Sequence, residues 1–503
     1  MAEAVEGPDA PTRAKFYRSA FTAVALAWTL RLIGLVSVLI LARLLTPRDF
    51  GIAGLAMATV ALVEIFSALG LRQALLRIEK PERGHLDTAW TIQLILLVAL
   101  AAILVALAPA AARFYDEPAL APVIAALAAR FICYGLVNIG IVDFDRDMEF
   151  GRDLRMRVGV RLVAFAGTLA AALLLRSYWA LVIGLVLQSA LFAAASYIVH
   201  PYRPRLSLAK RAELLGVSAW MFLAYAAQVV HHEVERLVIG RFAAMDLVGL
   251  YSVSKNLSSI FTQEIATALN RVTFVTTARG GRPLHDDPER VGRMLGAYAM
   301  IAAPMGLGLA ATADNAVAVL LGSQWLGAAP LLQLIAPAAS LFAVHKLIVS
   351  SLQASGLARG AALLSSCGAG LAVAALGATA LAGGGAVAVA TAALAVNFVV
   401  LAAGIVAIAR VARTGALGLA ARVARPFAAA AAMLLLVHAI PVTGIALADL
   451  ALAVAAGGLA YAGALLLLWI AAGRPRGAEA ETISMVGELT RRLIPRMRYP
   501  RSR

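Results

Sequence analysis

Long apolar runs separated by short polar segments dominate this sequence. Each run has about 20 residues, which is enough for an α-helix to cross the hydrocarbon core of a bilayer. We place the predicted spans at residues 20–42, 50–71, 88–112, 119–142, 158–176, 179–199, 217–240, 247–270, 294–316, 328–354, 360–382, 385–409, 418–439 and 444–472. The pattern predicts an all-α polytopic membrane protein with about 14 transmembrane helices.

The composition excludes a soluble protein of this length. Of the 503 residues, 62% are hydrophobic and only 14% are charged, and the mean hydropathy is +0.85. A net charge of +16 would favour nucleic acid as the partner of a soluble chain. Here the basic residues lie mainly in short connections between apolar runs, so we expect no nucleic-acid partner.

The distribution of basic residues predicts the orientation of the chain. Most of the 44 lysines and arginines fall in the two termini and in the even-numbered connections. Basic connections stay on the cytoplasmic side of a membrane. We therefore predict that both termini are cytoplasmic.

The densest set of ionisable side chains within apolar surroundings lies at 219–259, over predicted spans seven and eight. Glu233 lies off the helical face that five other polar residues of span seven share: Gln228, His231, His232, Glu235 and Arg236. On span eight, Tyr251 and Lys255 share a face with Ser258, Ser259 and Thr262. Charges at membrane depth are costly and normally face water or one another, so the two faces predict a path for something polar.

The chain also repeats itself. LARLLTPRDFGIA at Leu41–Ala53 and IGRFAAMDLVGLY at Ile239–Tyr251 share an arginine and a glycine at the same spacing, and FYDEPALAP is echoed more weakly by SQWLGAAP. A parallel repeat of six spans predicts two lobes around a central site. The predicted domains are a disordered tail at 1–15, an N-lobe at 16–200, a C-lobe at 201–410, two further helices at 411–472 and a basic cytoplasmic tail at 473–503.

These repeated motifs carry a family resemblance. LARLLTPRDFGIAGLA, RQALLR, ARFYDEP, DRDMEF, ERLVIGRFAAMDLVGLYS and GSQWLGAAPLLQLIAP resemble the O-antigen and exopolysaccharide flippases of the multidrug/oligosaccharidyl-lipid/polysaccharide exporter superfamily. The resemblance covers about residues 16–355. It implies a two-lobed, V-shaped bundle with a central, often cationic cavity in the bacterial inner membrane. It also implies movement of undecaprenyl-pyrophosphate-linked oligosaccharide between leaflets by alternating access.

Five cations within the spans are candidates for binding a pyrophosphate or an acidic sugar, because such a group needs donors and positive charge in place of water. They are Arg31, Arg130, Arg236, Lys255 and Lys346. The alternative is that some of them form internal ion pairs with Glu64, Glu233, Glu235 or Glu264.

A second set of residues could couple transport to a gradient. His231 and Glu235 lie four residues apart on one face, as do His232 and Arg236, and a buried histidine–glutamate pair can exchange a proton near neutral pH. A fixed structural hydrogen bond explains the pair equally well. Glu64 and Glu264 are weaker candidates, closer to the cytoplasmic ends of their spans. We expect no cofactor and no metal, and a proton or sodium gradient as the energy source.

Other functions remain open at this point. A drug or metabolite antiporter of the same superfamily is the nearest alternative. A polysaccharide polymerase or glycosyltransferase is disfavoured, because such membrane enzymes usually need a large extramembrane loop and no outer connection here is long. A scaffold without transport would tolerate loss of its intramembrane charges. Expected partners are lipid-linked oligosaccharide, membrane lipids, a polysaccharide polymerase and chain-length regulator proteins.

Overall fold

The computed structural model describes residues 29–30, 32–67, 70–78, 81–147, 149–214, 219–280, 287–441, 443–475, 477–482 and 484. The side chains at 73, 77, 150 and 263–280 are not described. Arg31, the tail at 1–15 and most of the tail at 473–503 therefore lie outside the described residues, and the Glu264 side chain does too.

The described chain is helical, as predicted. The helices are α1 (Leu32–Leu44), followed by α2 (Pro47–Glu64), α3 (Leu71–Arg77), α4 (Arg83–Tyr115), α5 (Leu120–Gly135), α6 (Asp143–Arg146), α7 (Phe150–Leu175), α8 (Trp179–Val199), α9 (Arg211–Leu214), α10 (Ala219–Phe242), α11 (Met245–Gly280), α12 (Pro288–Ala311), α13 (Ala313–Leu320), α14 (Ala329–Ala354), α15 (Ala358–Leu381), α16 (Ala386–Val411), α17 (Ala416–His438) and α18 (Ala446–Ala471). Short 3₁₀ turns lie at Ile65–Ser67, Ile139–Val142 and Ser323–Ala328.

Every predicted span overlaps one of these helices. Ten helices among the described residues are long and apolar enough to cross a membrane, and a bent pair would make eleven. Both α10 and α11 fall outside that set, since their buried charges interrupt the apolar surface. The multi-span membrane fold is confirmed, and the count of fourteen stays a prediction.

The fourth predicted span is not one continuous helix. It breaks after Gly135, and the following turn and α6 continue at an angle of 70° to α5. Asn138 stabilises the break between α5 and α6 through hydrogen bonds. Its amide donates to the Tyr202 carbonyl at 2.7 Å, and its side-chain oxygen accepts from the Gly140 N–H at 3.0 Å. Hydrophobicity alone cannot reveal such a break, because Leu136, Val137 and Ile139 keep the sequence apolar across it.

The chain divides into two compact units. The first contains residues up to Ile260 together with Leu320–Leu331 and Ser365–Ala392. In it α4 packs against α5, α7 against α8, α5 against α8, and α2 against α10. The segment after α8 is tied to the start of α4, where buried Asp87 accepts from the Tyr202 hydroxyl at 2.5 Å and the Arg205 N–H at 2.9 Å.

The second unit contains Phe261–Val319, Leu332–Leu364 and the residues from Ala393 onward. Here α17 packs against both α12 and α18. Its hydrophobic core includes Leu295, Val344 and Ile408, which are almost completely buried. The lobe boundaries at 200 and 410 predicted from the sequence stay a prediction.

Candidate functional site

The polar part of α10 and α11 lies wholly within the first unit. The two helices are joined by Ala243 and Ala244, with Arg241 in the last turn of α10 and Asp246 in the first turn of α11. A cation at a helix C-terminus and an anion at an N-terminus both interact favourably with the helix dipoles. The short connection makes the helices neighbours and brings their buried polar faces together.

Glu233 is the centre of one cluster. Its carboxylate accepts from Arg236 Nη1 at 2.9 Å and contacts His232 Nδ1 at 2.7 Å. An ionised carboxylate can only accept, so the histidine nitrogen is the donor. Arg236 Nη2 also donates to the Asn256 side chain on α11 at 2.7 Å.

Glu235 is the centre of the second cluster. Its Oε2 accepts from Lys255 Nζ at 2.6 Å and from the Tyr251 hydroxyl at 2.8 Å, both on α11. Lys255 also donates to the backbone carbonyl of His232. Glu235 and Lys255 are 8% and 7% exposed, so the whole pair is withdrawn from water.

The two clusters together are nearly self-neutral. Two carboxylates face one guanidinium and one ammonium group, and three of these four side chains are hydrogen-bonded between α10 and α11. A buried ion pair offers little positive charge to a ligand, because each cation is already compensated. The arrangement is suited to joining the two helices. His232, whose side chain is 29% exposed, is less buried than the four charged side chains.

The substrate-binding role predicted for Arg236 and Lys255 is untested, and the structure places both in internal ion pairs. Arg130, on α5, is a different case. Its Nη1 lies 3.8 Å from Glu64, which is longer than a hydrogen bond, and its guanidinium lies over the Tyr134 ring at 5.4 Å. Lys346 is half-buried on α14, in the second unit.

The coupling candidates are placed as follows. His231 is buried on α10, and Glu235 is bonded to α11 as described. Glu64, at the end of α2, is more exposed. The proposed exchange of a proton between His231 and Glu235 stays a prediction. Among the described residues, no group of three or more histidine, cysteine, aspartate or glutamate side chains could hold a metal ion.

Two residues of interest are not among the binding and coupling candidates predicted from the sequence. The sequence predicts Glu233 only as an alternative ion-pair partner of the intramembrane cations, and its pair with Arg236, three residues away, has the spacing of a helical ion pair. Arg161 falls inside the predicted span 158–176 but is not among the five candidate cations, and α7 begins eight residues before that span. Its guanidinium donates to the neutral amide of Gln188 on α8, and no described carboxylate forms an ion pair with it.

Arg161 also lies close to α1. A Cβ atom added at Gly34 would be 3.1 Å from its Nη2. The nearby arginine of the same helix, Arg157, is already paired with Asp153 at 2.7 Å. In the described part of the first unit, Arg161 thus combines partial burial, a fork of donors and an uncompensated charge.

Comparison with known proteins identifies the family of this chain. A family model described as "Polysaccharide biosynthesis protein" matches residues 40–330. The chain is 24% identical to the lipopolysaccharide biosynthesis protein WzxC of Escherichia coli K12, over 64% of this chain and 66% of that protein. It is 26% identical to the succinoglycan biosynthesis transport protein ExoT of Rhizobium meliloti 1021, over 60% and 61%. Both alignments cover somewhat less than two thirds of these relatives.

Solved structures show the same fold. The lipid II flippase MurJ in an inward closed conformation matches with a TM-score of 0.69 and 12% identity, over 90% of this chain and all of that one. A multidrug resistance MATE family transporter of the MOP superfamily matches with a TM-score of 0.57 and 15% identity, over 79% and 99%. These results confirm the resemblance found in the sequence motifs: the chain belongs to the polysaccharide biosynthesis protein family.

Proposed function

We propose that this protein is a flippase that moves lipid-linked oligosaccharide across the bacterial inner membrane by alternating access, for polysaccharide or lipopolysaccharide synthesis. The observation that carries the proposal is the family match over residues 40–330, in a chain with the fold of a lipid flippase. The name of the relative ExoT, a succinoglycan biosynthesis transport protein, supports transport rather than polymer synthesis.

Three cations that have either a long ion pair or none among the described residues support an anionic substrate. In the first unit, Arg161 has no described ion-pair partner and Arg130 only a long contact to Glu64. In the second unit, Lys346 is half-buried with no ion pair among the described residues. Two arginine forks match the oxygens of a pyrophosphate, and in a dehydrated site charge-assisted bonds are the strong ones. We assign Arg161 and Arg130 to the phosphate groups and keep Arg31 and Lys346 as further candidates.

Export of surface polysaccharide tests this assignment. In a strain that depends on this chain, Arg161→Ala and Arg130→Ala should each reduce export, because loss of one charge-assisted contact costs about 1.5–3 kcal/mol, or roughly tenfold to hundredfold in affinity. The Arg→Lys variants keep the charge but lose the fork, so they should fall between parent and alanine. Arg155→Ala is the matched control, since Arg155 is exposed on the same helix, α7.

Lipid-linked precursor should accumulate in the deficient variants, complete but unpolymerised, while the protein reaches the membrane in normal amount. Wild-type export by a well-expressed Arg161→Ala/Arg130→Ala variant would reject the anion site. Accumulation without polymer would also place the chain upstream of a polysaccharide polymerase. That enzyme, with chain-length regulator proteins, belongs to the partners we propose, as do membrane lipids.

The orientation proposed for the chain has both termini in the cytoplasm. Reporter fusions within 113–118 and at 383–385 should then report the outer side of the membrane, and fusions at 152 and 282 the cytoplasmic side. The opposite pattern would reverse the orientation. For the energy source we propose a proton or sodium gradient. In vesicles, an ionophore that dissipates only one of the two gradients would show which of them drives transport.

A drug or metabolite antiporter is the second candidate, because the fold also matches a multidrug transporter. It predicts that expression of the chain raises resistance to cationic drugs, whereas the flippase predicts no change in resistance and loss of polysaccharide on deletion. In both cases the chain transports and is not an enzyme.

A further inference from the structure

Three neighbouring helices of the first unit each present two polar or aromatic side chains four residues apart, which places both on one helical face. Helix α8 packs against both α5 and α7. The pairs are Arg130 and Tyr134 on α5, Arg157 and Arg161 on α7, and Gln188 and Phe192 on α8. All six residues are half-buried.

Two aromatic rings lie where these helices meet. The centroids of the Tyr134 and Phe192 rings are 6.3 Å apart, with the ring planes at 55°. We call these two rings the aromatic pair. The Arg130 guanidinium lies over the Tyr134 ring at 5.4 Å, and the Arg157 guanidinium lies over the Phe192 ring at 5.1 Å. Each ring of the aromatic pair therefore has an arginine beside it.

The aromatic pair adjoins the phosphate site proposed above. Arg161 donates to the Gln188 side chain, one helical turn from Phe192. Arg161 also interacts electrostatically with Tyr134. Arg130, the second arginine assigned to phosphate, is the one over the Tyr134 ring. The two guanidinium forks assigned to phosphate thus flank the two rings.

The arginines indicate that this face of the three helices does not point into lipid. A guanidinium at membrane depth is costly there and normally faces water or polar groups. Arg161 bonds the Gln188 amide within the bundle, and a Cβ atom added at Gly34 on α1 would lie 3.1 Å from its Nη2. Since the rings share this face and are only half-buried, they are open to a ligand beside the arginines.

A sugar ring attached to a pyrophosphate fits these groups. A pyranose ring has an apolar face of C–H groups, whose small positive charges pack well on the negative face of an aromatic ring. Its hydroxyls lie around the edge and need hydrogen-bond partners. The Gln188 amide oxygen accepts from Arg161, so that contact leaves the two N–H donors of the amide unused. A lipid tail would need no such donors, and a free pyrophosphate would need no rings.

We propose that the aromatic pair and the Gln188 amide bind the first sugar of the substrate, the one bonded directly to the pyrophosphate. The proposal rests on the proposed transport of lipid-linked oligosaccharide and adds a sugar site to it. The first sugar is joined to the pyrophosphate through a single oxygen, so it must lie beside the groups that hold the phosphate. The rings accept the flat face of a pyranose, and the amide selects the position of a hydroxyl. This site therefore recognises the first sugar and not the rest of the oligosaccharide.

Binding to the purified full-length chain in detergent tests the sugar site with two short-chain probes. The first probe is geranyl pyrophosphate, and the second is the same lipid with one glucose on its pyrophosphate. Calorimetry gives a Kd for each probe, and the ratio of the two constants measures the contribution of the sugar. In the parent, the glucose probe should bind about tenfold more tightly.

Phe192→Leu and Tyr134→Leu should each reduce this ratio about fivefold, because each removes a flat ring face and no charge. Any effect on phosphate binding cancels in the ratio. Tyr134→Phe keeps the ring and should keep the ratio. Phe398→Leu is the matched control, since Phe398 is 66% exposed and belongs to the second unit.

Phe192→Met keeps the side-chain volume without a flat ring, and decides the question if Phe192→Leu fails to reach the membrane. Equal ratios in the parent and the ring variants would mean that the rings only pack on their arginines, and would overturn the proposal. Two probes that bind the parent equally would also overturn it, while the phosphate assignment would stand. Failure of both probes to bind the parent would instead refute the proposed substrate, and the sugar site with it.

Discussion

Replacing Lys255 by methionine tests whether the clusters on α10 and α11 join these helices or bind substrate. The variant leaves the Glu235 carboxylate with the Tyr251 hydroxyl and removes its partner at 2.6 Å. Because Glu235 is only 8% exposed, water cannot replace the lost ammonium group. Removing one member of a buried ion pair costs about 3–5 kcal/mol, most of it the penalty of an uncompensated charge.

The double variant Lys255→Met/Glu235→Gln removes both charges together. Replacing a buried pair by neutral groups is often close to neutral in stability, so the double variant should recover most of the loss. Thermal unfolding in detergent, followed by tryptophan fluorescence, measures both effects. We expect a clear drop of the apparent Tm in Lys255→Met and a Tm near that of the parent in the double variant.

Transport distinguishes the two roles. A joining role predicts that the double variant regains export along with stability. A substrate-binding role for Lys255 predicts that export stays lost although the protein is stable. The joining interpretation would be refuted by Lys255→Met unfolding at the temperature of the parent, or by a double variant that unfolds as early as the single one.

Two further predictions concern the segment after α8. Burial lowers the pKa of His200, which Asp143 at 3.5 Å only partly offsets. The unfolded chain then binds more protons than the folded one, so the stability of the fold should decrease as the pH falls through the ordinary histidine range. The decrease in Tm between about pH 7.5 and pH 5.5 should be smaller in His200→Gln than in the parent. Asn138→Ala leaves the Tyr202 carbonyl and the Gly140 N–H without their hydrogen-bond partner. The variant should destabilise the fold by about 1–3 kcal/mol for each of these buried backbone groups that stays unpaired. Asn138→Asp keeps the acceptor but places a carboxylate oxygen against the Tyr202 carbonyl at a fully buried site, so it should be at least as damaging in Tm. A Tm equal to that of the parent in either variant would contradict the assignment.

The helices could be predicted because the lipid bilayer permits few other backbone structures. In a bilayer every backbone group must be paired within its own segment, so an apolar run of the right length leaves the helix as the only choice here. The sixth predicted span, 179–199, coincides with α8, and the twelfth, 385–409, differs from α16 by one or two residues. Boundaries fail where charge continues into a helix, as at the start of α7, because the helix does not end where the apolar surface ends.

The pairing of charges was harder to predict. On an isolated α10 helix Glu233 and Arg236 point in different directions, but the long arginine side chain reaches across that angle. Tyr251 and Lys255 share a face in the sequence pattern, but the pattern cannot show that both donate to Glu235. Periodicity gives the direction in which a side chain leaves its helix, and the partner depends on how the neighbouring helix is placed.

The repeat illustrates the same limit. Sequence shows that Gly51 and Gly249 occupy equivalent positions, but not that the backbones of α2 and α11 meet there, where a Cβ atom on either glycine would overlap a carbonyl of the other helix. Two repeats bring equivalent residues together only along the axis that relates them, and everywhere else they hold such residues apart. The absence of a side chain at both positions was the available signal, because it is required only where two backbones approach closely.

Two contacts of α11 determine where the first unit can separate. Within two turns, this helix meets α2 at Gly249 through backbone and meets α10 at Lys255 and Asn256 through ion-pair and amide contacts. Parting α10 from α11 would leave charges unpaired in a dehydrated interior, whereas parting α11 from α2 exposes only glycine backbone and one serine hydroxyl. Since α10 meets α2 through Gly240 against Leu55, that contact is apolar as well. The helices α10 and α11 should therefore move together, and the surface of α2 is where this pair of helices separates most easily from the rest of the first unit.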